Sequence, residues 1–75
     1  MKEQLYRLLE TKALSEKEEA ITSITLLTEH PAGIGDHSTD DFYANAEQAL
    51  QKLVDAEDKL AILKKFKLEL FTARR

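Results

Sequence analysis

The sequence contains no cysteine, one proline and only two glycines in 75 residues. Without cysteine there can be no disulfide and no thiolate metal site, and a reducing compartment is the natural setting. No stretch approaches the roughly 20 apolar residues that a bilayer span needs. The opening Met1-Lys2-Glu3-Gln4-Leu5 has neither the apolar run nor the small-residue cleavage site of a secretory signal. A cytoplasmic protein without membrane contact is therefore expected. A chain so poor in proline and glycine also has few places to turn. The proline, both glycines and both histidines all fall between His30 and Asp41.

That stretch divides the chain. Pro31 lacks a backbone donor and disfavours an α conformation at His30, so a helix arriving from the N-terminal side stops by about Glu29. Gly33 and Gly35 permit backbone angles that would strain other residues. Ser38 or Thr39 can cap a new helix whose first turn carries Asp40 and Asp41. The expected fold is all-α: a single two-helix antiparallel hairpin over residues 1–75, with a helix at about 2–29, a loop at about 30–38 and a helix at about 39–72.

In the first arm Leu5, Leu9, Ala13, Ala20, Ile24 and Leu27 recur at helical spacing, with Lys17 on the same stripe and Leu8 and Ile21 widening it. Ser15-Glu16-Lys17-Glu18 has the letters of a capping box, which can mark a break or a fresh start. No glycine or proline lies nearby, so one continuous helix is the favoured reading. The second arm is more regular. Phe42, Ala46, Ala49, Leu53, Ala56, Leu60, Leu63, Lys67 and Leu70 alternate spacings of four and three, a heptad seam that implies a left-handed supercoil with a partner helix. Lys67 on this seam reads as a side chain snorkelling near the helix end.

A second apolar flank, Tyr43, Leu50, Val54, Ala61, Ile62, Phe66, Leu68 and Phe71, is more than one partner helix can cover. A lone hairpin has one interface, and its hydrophobic gain is nearly cancelled by the roughly 1.5 kcal/mol per residue lost in ordering the chain. Self-association into a helical bundle is expected, as a homodimer or a higher oligomer, with the heptad seam Phe42, Ala46, Ala49, Leu53, Ala56, Leu60, Leu63 and Leu70 as the interface.

The net charge of −3 conceals a division. Residues 1–58 carry 13 acidic against five basic side chains, while residues 59–75 carry six basic against Glu69 alone. Folding back makes the loop end acidic and the end holding both termini basic. A mildly acidic protein is a poor general binder of nucleic acid, although a basic end can hold a compact phosphate.

Chemistry is sought in the loop. His30, Asp36, His37, Asp40 and Asp41 are plausible ligands for a divalent ion, but their spacing matches no closed zinc motif, and neither a metal nor a cofactor is expected. No cysteine nucleophile exists and no serine sits in a nucleophile elbow, so no enzymatic activity is expected. Gly33-Ile34-Gly35 ahead of Ser38-Thr39 has the outline of an anion cradle, without the lysine and strand of a P-loop or the third glycine of a dinucleotide fingerprint. The plain alternative is a rigid connection whose glycines serve backbone shape.

The run His30-Pro31-Ala32-Gly33-Ile34-Gly35-Asp36-His37-Ser38, with the Ala/Glu/Asp-rich helix through Leu60 that follows it, resembles small uncharacterised proteins of T-even-like tailed bacteriophages over about residues 28–63. The resemblance implies no reaction. It implies an accessory protein made in the host cytoplasm, one that binds a host protein or counters a host defence, as some small helical oligomers do by sequestering nucleotide messengers. Two functions follow. In the first, an oligomer sequesters a small nucleotide through His30, Gly33, Gly35, His37, Ser38 or Thr39, with Tyr43 stacking on a base and another subunit neutralising phosphate. In the second, a helix face or the acidic loop end binds a host protein, or the bundle is purely structural.

Overall fold

The computed structural model describes residues 2–29 and 39–71 of the chain. It holds two helices, α1 (Lys2–Glu29, 28 residues) and α2 (Thr39–Phe71, 33 residues), packed against each other as an antiparallel hairpin. Among the described residues there is no strand. The result is a rod of 58 × 16 × 15 Å.

Helix α1 runs unbroken through Ser15-Glu16-Lys17-Glu18. A capping box acts where backbone amides lack partners; inside a continuous helix those amides are already bonded to the carbonyls four residues back, so the letters have nothing to cap. Ser15 and Glu18 are exposed.

Helix α2 turns its heptad seam towards α1. Ala49 and Ala56 are buried, and Phe42, Ala46, Leu53, Leu60 and Leu63 are half-buried. Lys67 on the same seam is exposed, with its Nζ 6.0 Å from the centre of the Tyr6 ring. The side chain of Leu70 lies outside the described residues. The seam residues thus pack within one chain, and the exposed large apolar residues of α2 lie on its flanks.

The stripe of α1 differs from expectation in its first two turns. Leu5 and Leu9 are 53% and 45% exposed, and the inward positions belong to Tyr6 and Glu10, both half-buried. Each step of four residues overshoots a full helical turn by about 40°. The run Leu5, Leu9, Ala13 takes two such steps without the compensating step of three, so its leucines are carried round to one side. From Ala13 onwards the pattern holds: Ala13 and Ala20 are buried, Lys17, Ile24 and Leu27 half-buried. Leu8 lies outermost, 63% exposed, and Ile21 sits beside the seam, 39% exposed.

Cross-helix contacts fix the register. Lys17 pairs with Glu57 (3.4 Å), Lys59 with Glu16 (3.0 Å) and Lys52 with Glu19. In that register Ala13 comes level with Leu60, Ala20 with Leu53, Ile24 with Ala49 and Leu27 with Ala46, a small residue against a large one at each level. Lys17 comes level with Ala56. This alternation lets two helices interdigitate without voids. Its consequence is a thin core: among the described residues the four buried hydrophobic residues are all alanine, and no large side chain is fully enclosed.

Candidate functional site

Three surfaces can do chemistry or binding. The first is at the loop end. His30, Gly33, Gly35, His37 and Ser38 lie outside the described residues, as does the side chain of Thr39, whose backbone opens α2. Tyr43 is the one predicted ligand-binding residue whose side chain is described. It is 59% exposed, and its ring meets that of Phe42 edge-on, 5.7 Å between centroids at 71°. The heptad explains the pair. Phe42 is a seam position and is half-buried, so it anchors the start of α2, while Tyr43 one residue on points outwards and keeps its ring accessible.

The second surface is a groove of about 460 Å³ near the termini, on the side to which Leu9 has been displaced. Leu9, Ala13, Ile62, Leu63 and Phe66 make its apolar floor. Lys12, Glu16, Asp58 and Lys59 stand on its rim, where the Lys59–Glu16 pair closes the loop-ward end. The sequence marked Ile62 and Phe66 as flank but gave Leu9 to the stripe, so the groove was not visible. Setting the α1 register from Ala13 and Ala20 rather than from Leu5 would have placed Leu9 beside Phe66.

The third surface is the opposite flank, where positions following the seam residues fall: Leu14 and Ile21 on α1, Leu50 and Val54 on α2, between 39% and 55% exposed. The Lys17–Glu57 pair crosses it.

Among the described residues two groups have altered acidity. Tyr6 is held above its ordinary value of 10.0, chiefly because burial against α2 disfavours the phenolate and secondarily because Glu10 repels it. Glu19 is held below its ordinary 4.5, first by the hydrogen bond that Lys52 donates to its Oε1 and then by the ammonium charge. Neither group lies in the groove or at Tyr43, and both belong to the helix-helix contact.

Charge divides the rod along its length. Residues 2–15 and 59–71 carry seven basic and three acidic side chains; residues 16–29 and 39–58 carry two basic and ten acidic. Among the described residues no group of three or more His, Asp or Glu side chains converges as metal ligands would. No described helix is long and apolar enough to cross a membrane. No family model matches the chain, and neither a curated protein nor a solved structure does.

Proposed function

We propose that this chain is a non-enzymatic helical binding protein that captures a small anionic ligand, such as a nucleotide signal, at the loop end of an oligomer. The observation that carries the reading is Tyr43: an aromatic ring left open at the start of α2, braced edge-on by the seam-anchored Phe42, directly after the stretch holding both histidines and both glycines. An exposed ring on a rigid helix is a platform for a base, and stacking is worth about 1–3 kcal/mol per base in single-stranded nucleic acid sites. The loop half carries far more acid than base, so the phosphate of such a ligand needs cations from the basic half of another copy. The phage resemblance supplies the proposed setting, the host cytoplasm, where capture of a signal would counter a defence.

Native mass spectrometry with cyclic and linear small nucleotides tests this. The expected result is a stoichiometric nucleotide mass on an oligomer, with the gain lost in Tyr43→Ala and in His30→Ala/His37→Ala at unchanged helicity. An oligomer that gains no mass from any nucleotide would overturn it.

The groove favours a second reading, a protein-interaction module. Its floor of Leu9, Ile62 and Phe66 between charged rims suits the apolar face of a host protein's amphipathic helix. A host protein retained by wild type and by Tyr43→Ala, and lost with Phe66→Lys, would select this reading over nucleotide capture.

A further inference from the structure

We infer that the flank bearing Leu14, Ile21, Leu50 and Val54 is covered by a second copy of this chain, packed face to face with its loop end at the opposite end of the rod. Three observations lead there.

The first is the inventory of the single chain. Its fully enclosed residues are alanines, while Leu14, Ile21, Leu50 and Val54 stay 45%, 39%, 55% and 44% exposed on one side of the hairpin. One face of a rod 58 Å long and 16 Å wide is on the order of the ~800 Å² per partner that a specific interface buries.

The second is charge. Two hairpins stacked with loops together would set the acidic halves against each other and the basic halves against each other. A twofold axis lying in the interface and crossing the helices instead sets the acidic half of each copy against the basic half of the other.

The third is register, which is independent of the net charges. An axis crossing near Lys17 and Ala56 brings Leu14 of one copy level with Ile21 of the other along the facing α1 helices. Along the facing α2 helices the same axis brings Leu50 level with Ala61 and Glu47 level with Lys64. A single choice of axis thus sets Leu14 against Ile21, Leu50 against Ala61 and Glu47 against Lys64, and α1 lies on α1, α2 on α2, as in a four-helix bundle. The arrangement also brings the second copy's Arg7 level with Thr28, in the last turn of α1. It thus offers a cation at the end of the rod where the proposed ligand site lacks one.

The natural absence of cysteine makes the test clean. Ligand-free protein is used throughout, so failure of the pairing and failure of nucleotide capture are read separately. Wild type is expected to sediment as a dimer or an even multiple of it. Leu50→Lys should weaken association at least tenfold while circular dichroism shows helicity retained, and Phe66→Lys, on the other side of the rod, should leave association unchanged. Under oxidation a mixture of Glu47→Cys and Lys64→Cys proteins should cross-link, whereas neither does so alone. A wild-type monomer at millimolar concentration would overturn the inference, as would cross-linking of Glu47→Cys with itself, or association lost through Phe66→Lys and kept by Leu50→Lys.

Discussion

The seam and the flanks of this hairpin have inverted contents. Where the two helices meet, the enclosed residues are Ala13, Ala20, Ala49 and Ala56; on the outside stand leucines, isoleucines, a valine, a tyrosine and a phenylalanine. A helical hairpin that functioned alone would do the reverse, since burying a large aliphatic side chain contributes about 1.5–3 kcal/mol and burying an alanine far less. The inversion teaches that the intrachain seam is built for fit, and it leaves the large apolar groups on the flanks. Alanine at alternate levels lets the opposite leucine or isoleucine seat closely, which fixes register, and the large residues left outside are available to a second layer.

Enlarging the seam is the strongest way to break this contrast. Ala20→Leu puts a leucine level with Leu53, at a position with no exposure in the native hairpin. Overpacking of this kind costs about 1–3 kcal/mol, and each kcal/mol lowers the melting temperature by roughly 4–8 °C in a domain of this size. Thermal denaturation followed by circular dichroism should show that loss. By contrast Leu8→Ala, at the outermost position of α1, should move stability by no more than about 0.5 kcal/mol. Equal effects from the two would mean that the alanine seam is not tightly packed.

Repairing the seam sharpens the same contrast by a smaller amount. Lys17 occupies a seam position level with Ala56, its side chain 32% exposed, and it reaches sideways to Glu57. A leucine there would restore the large-against-small alternation seen at Ala13 and Leu60. The lost ion pair lies near the surface, where such pairs contribute about 0–1 kcal/mol. Lys17→Leu is therefore expected to stabilise by about 0.5–1 kcal/mol, the difference between that loss and partial burial of a leucine. A fall in melting temperature would show that the Lys17–Glu57 pair, rather than packing, governs this level.

The two helices were unequally legible, for a physical reason. In α2 the apolar residues themselves alternate four and three, so period, face and partner could be read directly, and Ala49 and Ala56 were found buried where the seam placed them. In α1 the first two inward positions are Tyr6 and Glu10, amphipathic and charged, while Leu5 and Leu9 sit one step to the side. Hydrophobicity marked the wrong pair because the residues facing Leu63 and Lys67 near the open end of the hairpin need only partial burial. That error hid the groove, whose floor joins Leu9 to Ile62 and Phe66. At the other end, Tyr43 was legible as an outward aromatic because it follows a seam residue. The histidines and glycines that precede it in the sequence lie outside the described residues.

The cross-helix ion pairs offer the gentlest probe of the contrast, because they run along the flanks without belonging to the apolar surface. Glu19 is held below its ordinary value by Lys52, so its folded form prefers ionisation more than the unfolded chain does. The stabilisation is complete above the ordinary value of 4.5 and disappears as the pH falls through the lowered one. Glu19→Gln should therefore reduce the melting temperature slightly at neutral pH and not at all at strongly acidic pH, where the wild-type carboxyl is itself protonated. Both groups are more than two-fifths exposed, so salt should shrink the neutral-pH difference in the same way. Glu19→Gln is also a control for the proposed dimer: Glu19 and Lys52 lie on the groove side of the rod, and their loss should leave association through Leu50 intact. A difference that persisted at strongly acidic pH would mean that Glu19 acts through packing of its stem rather than its charge.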